Sequence, residues 1–531
     1  MIRPARSAPR VSAWAPLAIP AFRMLWLAQL GSNIGTWMQT VGAQWYLVDA
    51  AAGAIIVALV QTASLAPALL FSLPAGVISD SRDRRRLLIG GSLASAAIAT
   101  ALTVVAGLHD LTPLVLLAFT FLLGVTSTLT SPAWQAIQPE LVPREQIGAA
   151  SALGGVTVNG ARAVGPALAG IVLSLAGAPV VFGINALSFA AAAIALLLWR
   201  RPAQPGLDDH ENFGPALRAG LRYVASAPLV RRILLRSALF AFPASALWAL
   251  LPLAAHRLGL DSTGYGLLLG ALGVGAVIGV FLLPMARRRL ADNALLVASA
   301  LLFGTGAAAA AVLPLLATLP FLVIAGAAWI GTLTVLNASL QLTLPQWVRS
   351  RGAAGYILVF MGTMAWGSFV WGVVAQEWGT TAALLAAALV LGLVALSVRL
   401  LPLLRGTGTV DRTINSAWPS PTLIFEPAPT DGPVLVEIAY RVMPQKLDGF
   451  LEAMKPVADS RRRTGGSRWR LYRSGEDRDT MLESFIVPSW REFTRQNTER
   501  STGRDREILA AALSCIDGHP IERHYFQVPA R

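Results

Sequence analysis

Charge is scarce in this 531-residue chain. Asp, Glu, Lys and Arg make up 14% of it, against about a quarter in a soluble globular protein. That shortage excludes a solvated surface over most of the length. With 55% hydrophobic residues and a mean hydropathy of +0.58, most of the chain belongs in a bilayer. Lysine is nearly missing, present only as Lys446 and Lys455, so arginine carries the basic charge of a chain with formal net charge +14. The lone cysteine, Cys515, excludes an intrachain disulfide and a cysteine-based metal cluster, and it reads as filler in a helix. No G-x-x-x-x-G-K-[ST] string occurs, which disfavours an ATP-driven pump. No cofactor and no metal are expected. A nucleic-acid partner is not expected either, because a DNA binder gathers its charge on one soluble face. Here the arginines stand at the ends of apolar runs, as orientation in a bilayer requires.

A spanning helix needs about 20 mostly apolar residues. Twelve runs qualify: 24–48, 54–79, 87–108, 112–133, 148–174, 179–199, 231–255, 264–286, 293–313, 317–340, 352–376 and 380–403. The first is too long for a cleavable signal peptide and reads as a retained helix. Arginines cluster after the even-numbered runs: Arg82, Arg84, Arg85 and Arg86, then Arg144, Arg200 and Arg201, then Arg287, Arg288 and Arg289, then Arg349 and Arg351. Loops after odd-numbered runs hold almost none, Arg257 excepted. The positive-inside rule therefore puts both termini in the cytoplasm. The expected organisation is a cytoplasmic N-terminal segment 1–21, a six-helix bundle 22–200, a cytoplasmic loop 201–230, a second six-helix bundle 231–404, a Pro-rich linker 405–433 and a soluble domain 434–531.

Between the second and third runs stands Gly76-Val77-Ile78-Ser79-Asp80-Ser81-Arg82-Asp83-Arg84-Arg85-Arg86, a tight basic hairpin of pattern G-x-x-x-D-x-x-D-R-R-R. It resembles the signature loop of major facilitator superfamily transporters, and the Arg287-Arg288-Arg289 triplet repeats its basic part in the second half. A second stretch, Ser131-Pro132-Ala133-Trp134-Gln135-Ala136 through Pro139-Glu140-Leu141-Val142-Pro143-Arg144-Glu145, leads into Asn159-Gly160-Ala161-Arg162-Ala163-Val164-Gly165-Pro166-Ala167-Leu168-Ala169-Gly170. These strings resemble the transmembrane secretion effector branch of that superfamily, which includes enterobactin and macrolide exporters. The resemblance implies an all-α membrane fold of twelve helices in two sets of six, and a secondary transporter working by alternating access. It implies a gate at Gly76, Asp80, Arg84 and Arg85, with Asp80 bonded to arginines and to a helix N-terminus. The general motif has Gly where this chain has Asp83, so the local turn must differ. Gly165, Pro166 and Gly170 resemble the fifth-helix motif of drug/proton antiporters, where small residues permit close packing and proline a bend.

Arg162 is the one strongly charged side chain placed well inside a predicted span. An intramembrane arginine needs a cavity or a partner, so Arg162 is the candidate for attracting an anionic substrate, with a bond to helix-end carbonyls as the structural alternative. Asn33, Trp37, Gln44, Trp45, Asn159, Asn337, Gln341 and Trp366 are the candidate pathway lining, though interfacial anchoring explains some of the tryptophans equally well. The fourth run carries no charge, and Asp49 at the end of the first helix is the candidate proton site, against a bland reading as a solvated carboxylate. The expected substrate is a small amphiphilic molecule such as a siderophore or a drug-like compound, exported across a bacterial inner membrane at the expense of a proton or other ion gradient.

From residue 434 the pattern changes to strand, helix, strand, strand, helices, strand. That β-α-β-β-α-β order is the ferredoxin-like plan. With Glu483-Ser484-Phe485-Ile486-Val487-Pro488-Ser489-Trp490, it resembles the dimeric α/β-barrel domains of antibiotic-biosynthesis monooxygenases. A homodimer through this domain is the implied partner. The readings kept beside the transporter are a bifunctional protein whose tail, through His519, His524 or Trp490, is a small oxygenase, and a transporter-derived sensor. An enzyme is not the expected outcome.

Overall fold

An apolar run inside a bilayer has no water for its backbone, so its hydrogen bonds must close within the run, which means a helix. A computed structural model of the chain describes residues 12–200, 223–224, 226–404, 406–409, 411, 413 and 423–528. Its helices are α1 Pro20–Asp49, α2 Ala54–Ser81, α3 Arg84–Gly107, α4 Pro113–Ile137, α5 Ile147–Leu198, α6 Pro228–Arg257, α7 Ser262–Arg289, α8 Asp292–Val312, α9 Leu315–Thr343, α10 Arg349–Trp378 and α11 Thr380–Leu396. Their starts follow local chemistry. Proline stands at the head of α1 and α4, where no N–H is needed. Thr112, Asp83 and Asp261 cap α4, α3 and α7 by accepting from Val115 N, Arg86 N and Gly264 N. The Asp83 that replaces glycine in the signature loop is thus the N-cap of α3.

Among the described residues, ten helices are long and apolar enough to cross a membrane. One of these covers two expected runs: α5 is broken at Gly177, whose φ of 76° and ψ of 176° suit glycine alone. The helix α1 falls outside the ten, and its polar stripe of Gln29, Ser32, Asn33, Thr36, Gln39, Thr40 and Gln44 explains why. The count of apolar helices is therefore ten to twelve. The expected loop 201–230 lies largely outside the described residues.

The chain divides into two compact units. One comprises Met1–His210, Arg236–Val335 and Ile357–Pro402; the other comprises Glu211–Leu235, Leu336–Tyr356 and Leu403–Arg531. In the first, the buried core runs through all of α1 to α11. Its two helix sets meet along α5 with α7 and along α2 with α10. A Cβ added to Gly170 would lie 2.6 Å from Ser262 O, and one added to Gly273 would lie 2.5 Å from Ala163 Cα, so the backbones touch directly. On the other seam, Gln376 Oε1 accepts from Ala54 N at 2.7 Å and Thr62 donates to Ala365 O at 2.9 Å. These contacts reach from the ends away from the arginine-rich loops to Arg162 and Gly273 on one seam and to Leu69 and Gly362 on the other. Towards the arginine-rich end, Gly76, Gly155 and Gly160 have nothing within 4 Å of an added Cβ, and Val156 and Val158 are exposed. The close contacts described between the two sets thus lie from the end away from the arginine-rich loops to about mid-helix.

The second unit holds a four-stranded antiparallel sheet of β1 Val434–Arg441, β2 Ser467–Arg473, β3 Thr480–Val487 and β4 Ile521–Phe526, in the order β2-β3-β1-β4. Its helices are α12 Leu447–Thr464, α13 Trp490–Arg495 and α14 Gly503–Leu513. The alternation of β1 sends Val434, Val436, Ile438 and Tyr440 inward against Phe450, Met454 and Val457 of α12. Burying such side chains contributes about 1.5–3 kcal/mol each. The second unit also takes in the connection between α9 and α10.

Candidate transport pathway and gates

Arg162 sits on α5, four residues before Pro166. Its guanidinium carbon lies 5.6 Å from the ring centre of Trp37 on α1 and 5.8 Å from that of Trp248 on α6, and those two rings are 5.9 Å apart. The cation is therefore bracketed by aromatic faces from both helix sets. Its Nε and Nη1 are buried and have no hydrogen-bond partner among the described residues. A buried donor left without a partner is costly. Asn159, one turn away on the same helix, bonds only to Gly155 O within its own turn, at 3.0 Å.

Two turns further along α1, about 10 Å, lies a second layer. Gln44 is 1% exposed; its Nε2 donates to Trp248 O at 3.3 Å, and its Oε1 accepts from the Tyr265 hydroxyl at 2.5 Å. Trp45 stacks on Tyr265 with ring centres 5.8 Å apart and planes inclined by 18°. Gln44 and Trp45, expected among the pathway lining, are both buried in this layer. Beyond them opens a vestibule of about 770 Å³ lined by Asp49, His109, His256, Asp261 and the Gly177 break. Asp49 thus stands at its rim. Asn33 is half-buried and donates to Gln29 O at 2.9 Å. Trp366 is 61% exposed and pairs with Phe369 of its own helix. Asn337 is exposed on α9 and Gln341 half-buried there, both in the second unit. Of the expected fifth-helix positions, Gly165 abuts Trp37 of α1 within its own set, while Pro166 O and Gly170 face Gly266 and Ser262 across the seam.

At the arginine-rich end, Arg84 Nη1 bonds Glu140 Oε1 at 2.6 Å. Arg85 donates to Leu196 O at 3.0 Å and Leu197 O at 2.8 Å, capping the last turn of α5. Both arginines are engaged within their own helix set, and Gly76 is half-buried. The side chain of Asp80 lies outside the described residues. Arg162 is also not alone as a buried intramembrane arginine: Arg236 on α6 is 3% exposed and donates to Ser397 Oγ at 2.7 Å. The sequence reading passed over it because Arg231 and Arg232 made it look like a helix-end cluster. Trp248, Tyr265 and Glu140, which complete the two layers and the ion pair, were not singled out either. Of these, Glu140 stood within a quoted motif, whereas Trp248 and Tyr265 carry no local signal.

In the tail, Glu483 gathers several donors. Glu483 accepts from Tyr440 Oη at 2.6 Å, Arg461 Nε at 3.0 Å and Trp469 Nε1 at 2.9 Å. Burial works against the Arg461 charge, but Glu483 holds its pKa above the usual arginine value. Burial also pushes the Tyr440 phenol up, reinforced by Glu483. His524, 4% exposed, packs edge-on against Phe493 and Trp490, while His519 is exposed in the turn before β4. The three candidate oxygenase residues therefore do not converge on one site.

A helical membrane protein whose two helix sets close at one end over a buried cation has the arrangement of a transporter, and its fold agrees. It matches a mutant of the nucleoside transporter NupG (12% identity, TM-score 0.60, covering 72% of this chain and 99% of that one). It also matches a bacterial homologue of the human lysosomal transporter Spinster in an inward-facing, occupied conformation (15%, TM-score 0.58, 72% and 97%). The class is the major facilitator superfamily. Within it, the model of the transmembrane secretion effector family matches residues 11–527, and the chain belongs to that family. Among curated relatives are the staphyloferrin A transporter of Staphylococcus aureus (26% identical, 51% of this chain, 68% of the relative), macrolide efflux protein A of Streptococcus pyogenes (25%, 44% and 58%) and the enterobactin exporter EntS of Salmonella typhi (29%, 49% and 62%). The chain spans 58–68% of the lengths of these relatives. All of them are transporters, not enzymes.

Proposed function

We propose that the chain is a proton-coupled exporter of a small amphiphilic anion, of siderophore or drug-like size, working by alternating access in a bacterial inner membrane. The observation that carries this reading is the buried Arg162 guanidinium, partnerless at Nε and Nη1 between Trp37 and Trp248. A carboxylate or catecholate satisfies such a cation through charge-assisted bonds, while the rings receive an apolar or aromatic body. The relatives that carry staphyloferrin A, enterobactin and macrolides support that substrate range. Asn33 and Asn159 extend the pathway from Arg162, and Asn337, Gln341 and Trp366 contribute to its mouth. The bundle then has twelve spans in two sets of six, with the arginine-rich loops and both termini in the cytoplasm.

In this reading the closed layer at Gln44, Trp45 and Tyr265 faces outward, and the arginine-rich end is open to the cytoplasm. Asp80 with Gly76, Arg84 and Arg85 forms the opposite gate, latched when the halves rock shut. Asp49 takes the proton from the outer vestibule. The tail 434–531 is ferredoxin-like, following the linker 405–433. It pairs with a second copy through the outer sheet face, where Leu435 lies in register with Ile486 and Tyr525. The deciding experiment is efflux of a catecholate siderophore and of a macrolide from cells expressing the chain, with and without a proton uncoupler. Uncoupler-sensitive efflux that falls with Asp80→Asn at unchanged expression is the expected result. Efflux indifferent to the uncoupler overturns the coupling, and efflux indifferent to Asp80→Asn overturns the gate.

A further inference from the structure

The two helix sets treat one equivalent connection differently. Between α4 and α5 the chain makes short 3-10 turns at Gln138–Leu141 and Arg144–Gln146, and Glu140 anchors it by pairing Arg84. Between α9 and α10 there is a 3-10 turn at Gln346–Val348. Pro139-Glu140-Leu141-Val142 is answered there by Pro345-Gln346-Trp347-Val348. The acid has become an amide, which holds no ion pair, and the leucine has become a tryptophan. Trp347 is held from two sides within the second unit. The Arg500 guanidinium carbon lies 5.0 Å from its ring centre, and the Tyr223 ring meets it edge-on at 5.5 Å and 90°.

Arg500 is well placed to grip. It is 4% exposed, bonds both oxygens of Glu492 at 2.8 and 3.1 Å, and donates to Thr464 O at 3.1 Å, so it is fixed to α12 and α13 rather than free to follow the tryptophan. The connection is tied elsewhere too. Gly408 N donates to Thr343 Oγ1 at 3.1 Å, and Gly503 N, at the head of α14, donates to the linker's Thr413 O at 3.0 Å. A cavity of about 150 Å³ remains at this junction, lined by Tyr223, Thr343, Pro345, Arg463 and Arg504 among others. The junction is therefore pinned at defined points with a void between them, as suits a contact that opens and closes rather than a continuous core.

We propose that the tail domain is a built-in brake, gripping Trp347 through Arg500 and so holding the α9–α10 connection that must move when the helix sets rock. The functional part rests on the transporter reading above; the grip itself does not. A cation–π contact biases an equilibrium by about 2- to 30-fold, enough to set a cycling rate and small enough to be released in each cycle.

The test uses the full-length chain, with Cys515→Ser as background and spin labels on Glu145→Cys and Met285→Cys, two exposed positions at the arginine-rich end of opposite helix sets. Arg500→Gln and Trp347→Ala are expected to shift the distance distribution equally, and the pair together no further than either alone. Arg500→Lys, which keeps a cation, should restore much of the original distribution, and the exposed Glu452→Ala should change nothing. In cells, the same two variants should raise initial macrolide efflux about 2- to 30-fold. Unchanged distances in both variants, or additive shifts, overturn the grip. Shifted distances with slower or unchanged efflux overturn the brake. Should the wild type carry no macrolide, the transporter reading suffers while the label distances still decide whether the tail restrains the rocking.

Discussion

Two arginines with buried guanidinium nitrogens, Arg162 of the first unit and Arg461 of the second, have opposite surroundings. Arg461 in the tail lies against Glu483, which also accepts from Tyr440 and Trp469. Arg162 in the bundle has aromatic faces on both sides and, among the described residues, no acceptor at Nε or Nη1. The first is a closed network, whose worth lies in holding α12, β1, β2 and β3 in one arrangement. The second is an open valence, tolerable only where a ligand or water completes it for part of the time. A charge with all its partners is architecture, and a charge without them is a site.

The contrast breaks most visibly through stability. Arg461→Met leaves Glu483 buried and uncompensated, and should cost the tail about 3–5 kcal/mol, read as a lowered melting transition. Adding Glu483→Leu should recover much of the loss, because a buried pair replaced by apolar residues is often neutral. The same Arg162→Met change should leave the melting transition where it is or raise it, while efflux falls about 10-fold or more, the loss of a charge-assisted bond to substrate. A destabilised Arg162→Met protein with normal efflux would place Arg162 with Arg461, as architecture.

Smaller effects test the plug. Tyr265→Phe removes the hydroxyl that bonds Gln44 and should weaken the closed end by about 1 kcal/mol. The expected readout is faster labelling of a vestibule cysteine introduced by His109→Cys in a Cys515→Ser background. Labelling at the wild-type rate would mean the Trp45 stack alone holds the closure. The smallest effect concerns pH. Burial opposes the Asp505 charge, but Arg463 and bonds from Ser460 and Thr502 outweigh it and hold its pKa below the ordinary value of 3.8. A depressed folded pKa means the stabilisation is fully present above the unfolded value and lost as pH falls through the folded one. Tail melting should therefore be insensitive to Asp505→Asn in acid below that range and sensitive at neutral pH. A difference that persists unchanged into strong acid would refute the assignment.

How much was legible in the sequence depended on how far each signal reached. The hairpin at 76–86 stood out because its residues are contiguous, whereas the capping of α3 by Asp83 came only from the structure. The strands of the tail were legible for the same reason, since alternation along β1 reports which face is buried. Gln44 and Trp45 were visible as polar and aromatic residues in an apolar run, but their role depends on Tyr265, more than 200 residues away. Nothing near Gln44 announces whether it lines a path or plugs it. Arg236 was hidden by its neighbours Arg231 and Arg232, and only Ser397 across the bundle reveals it as buried.

The sequence by itself determined the solvent, the helices and the family, because hydropathy, capping and short motifs act over one or two turns. Tertiary structure decided where the two helix sets touch, that Arg162 lies between Trp37 and Trp248, and that Trp347 is held by Arg500. Those are relations between side chains brought together from distant parts of the chain. They depend on packing geometry, where a displacement of an ångström separates a bond from a void, and no local pattern encodes that.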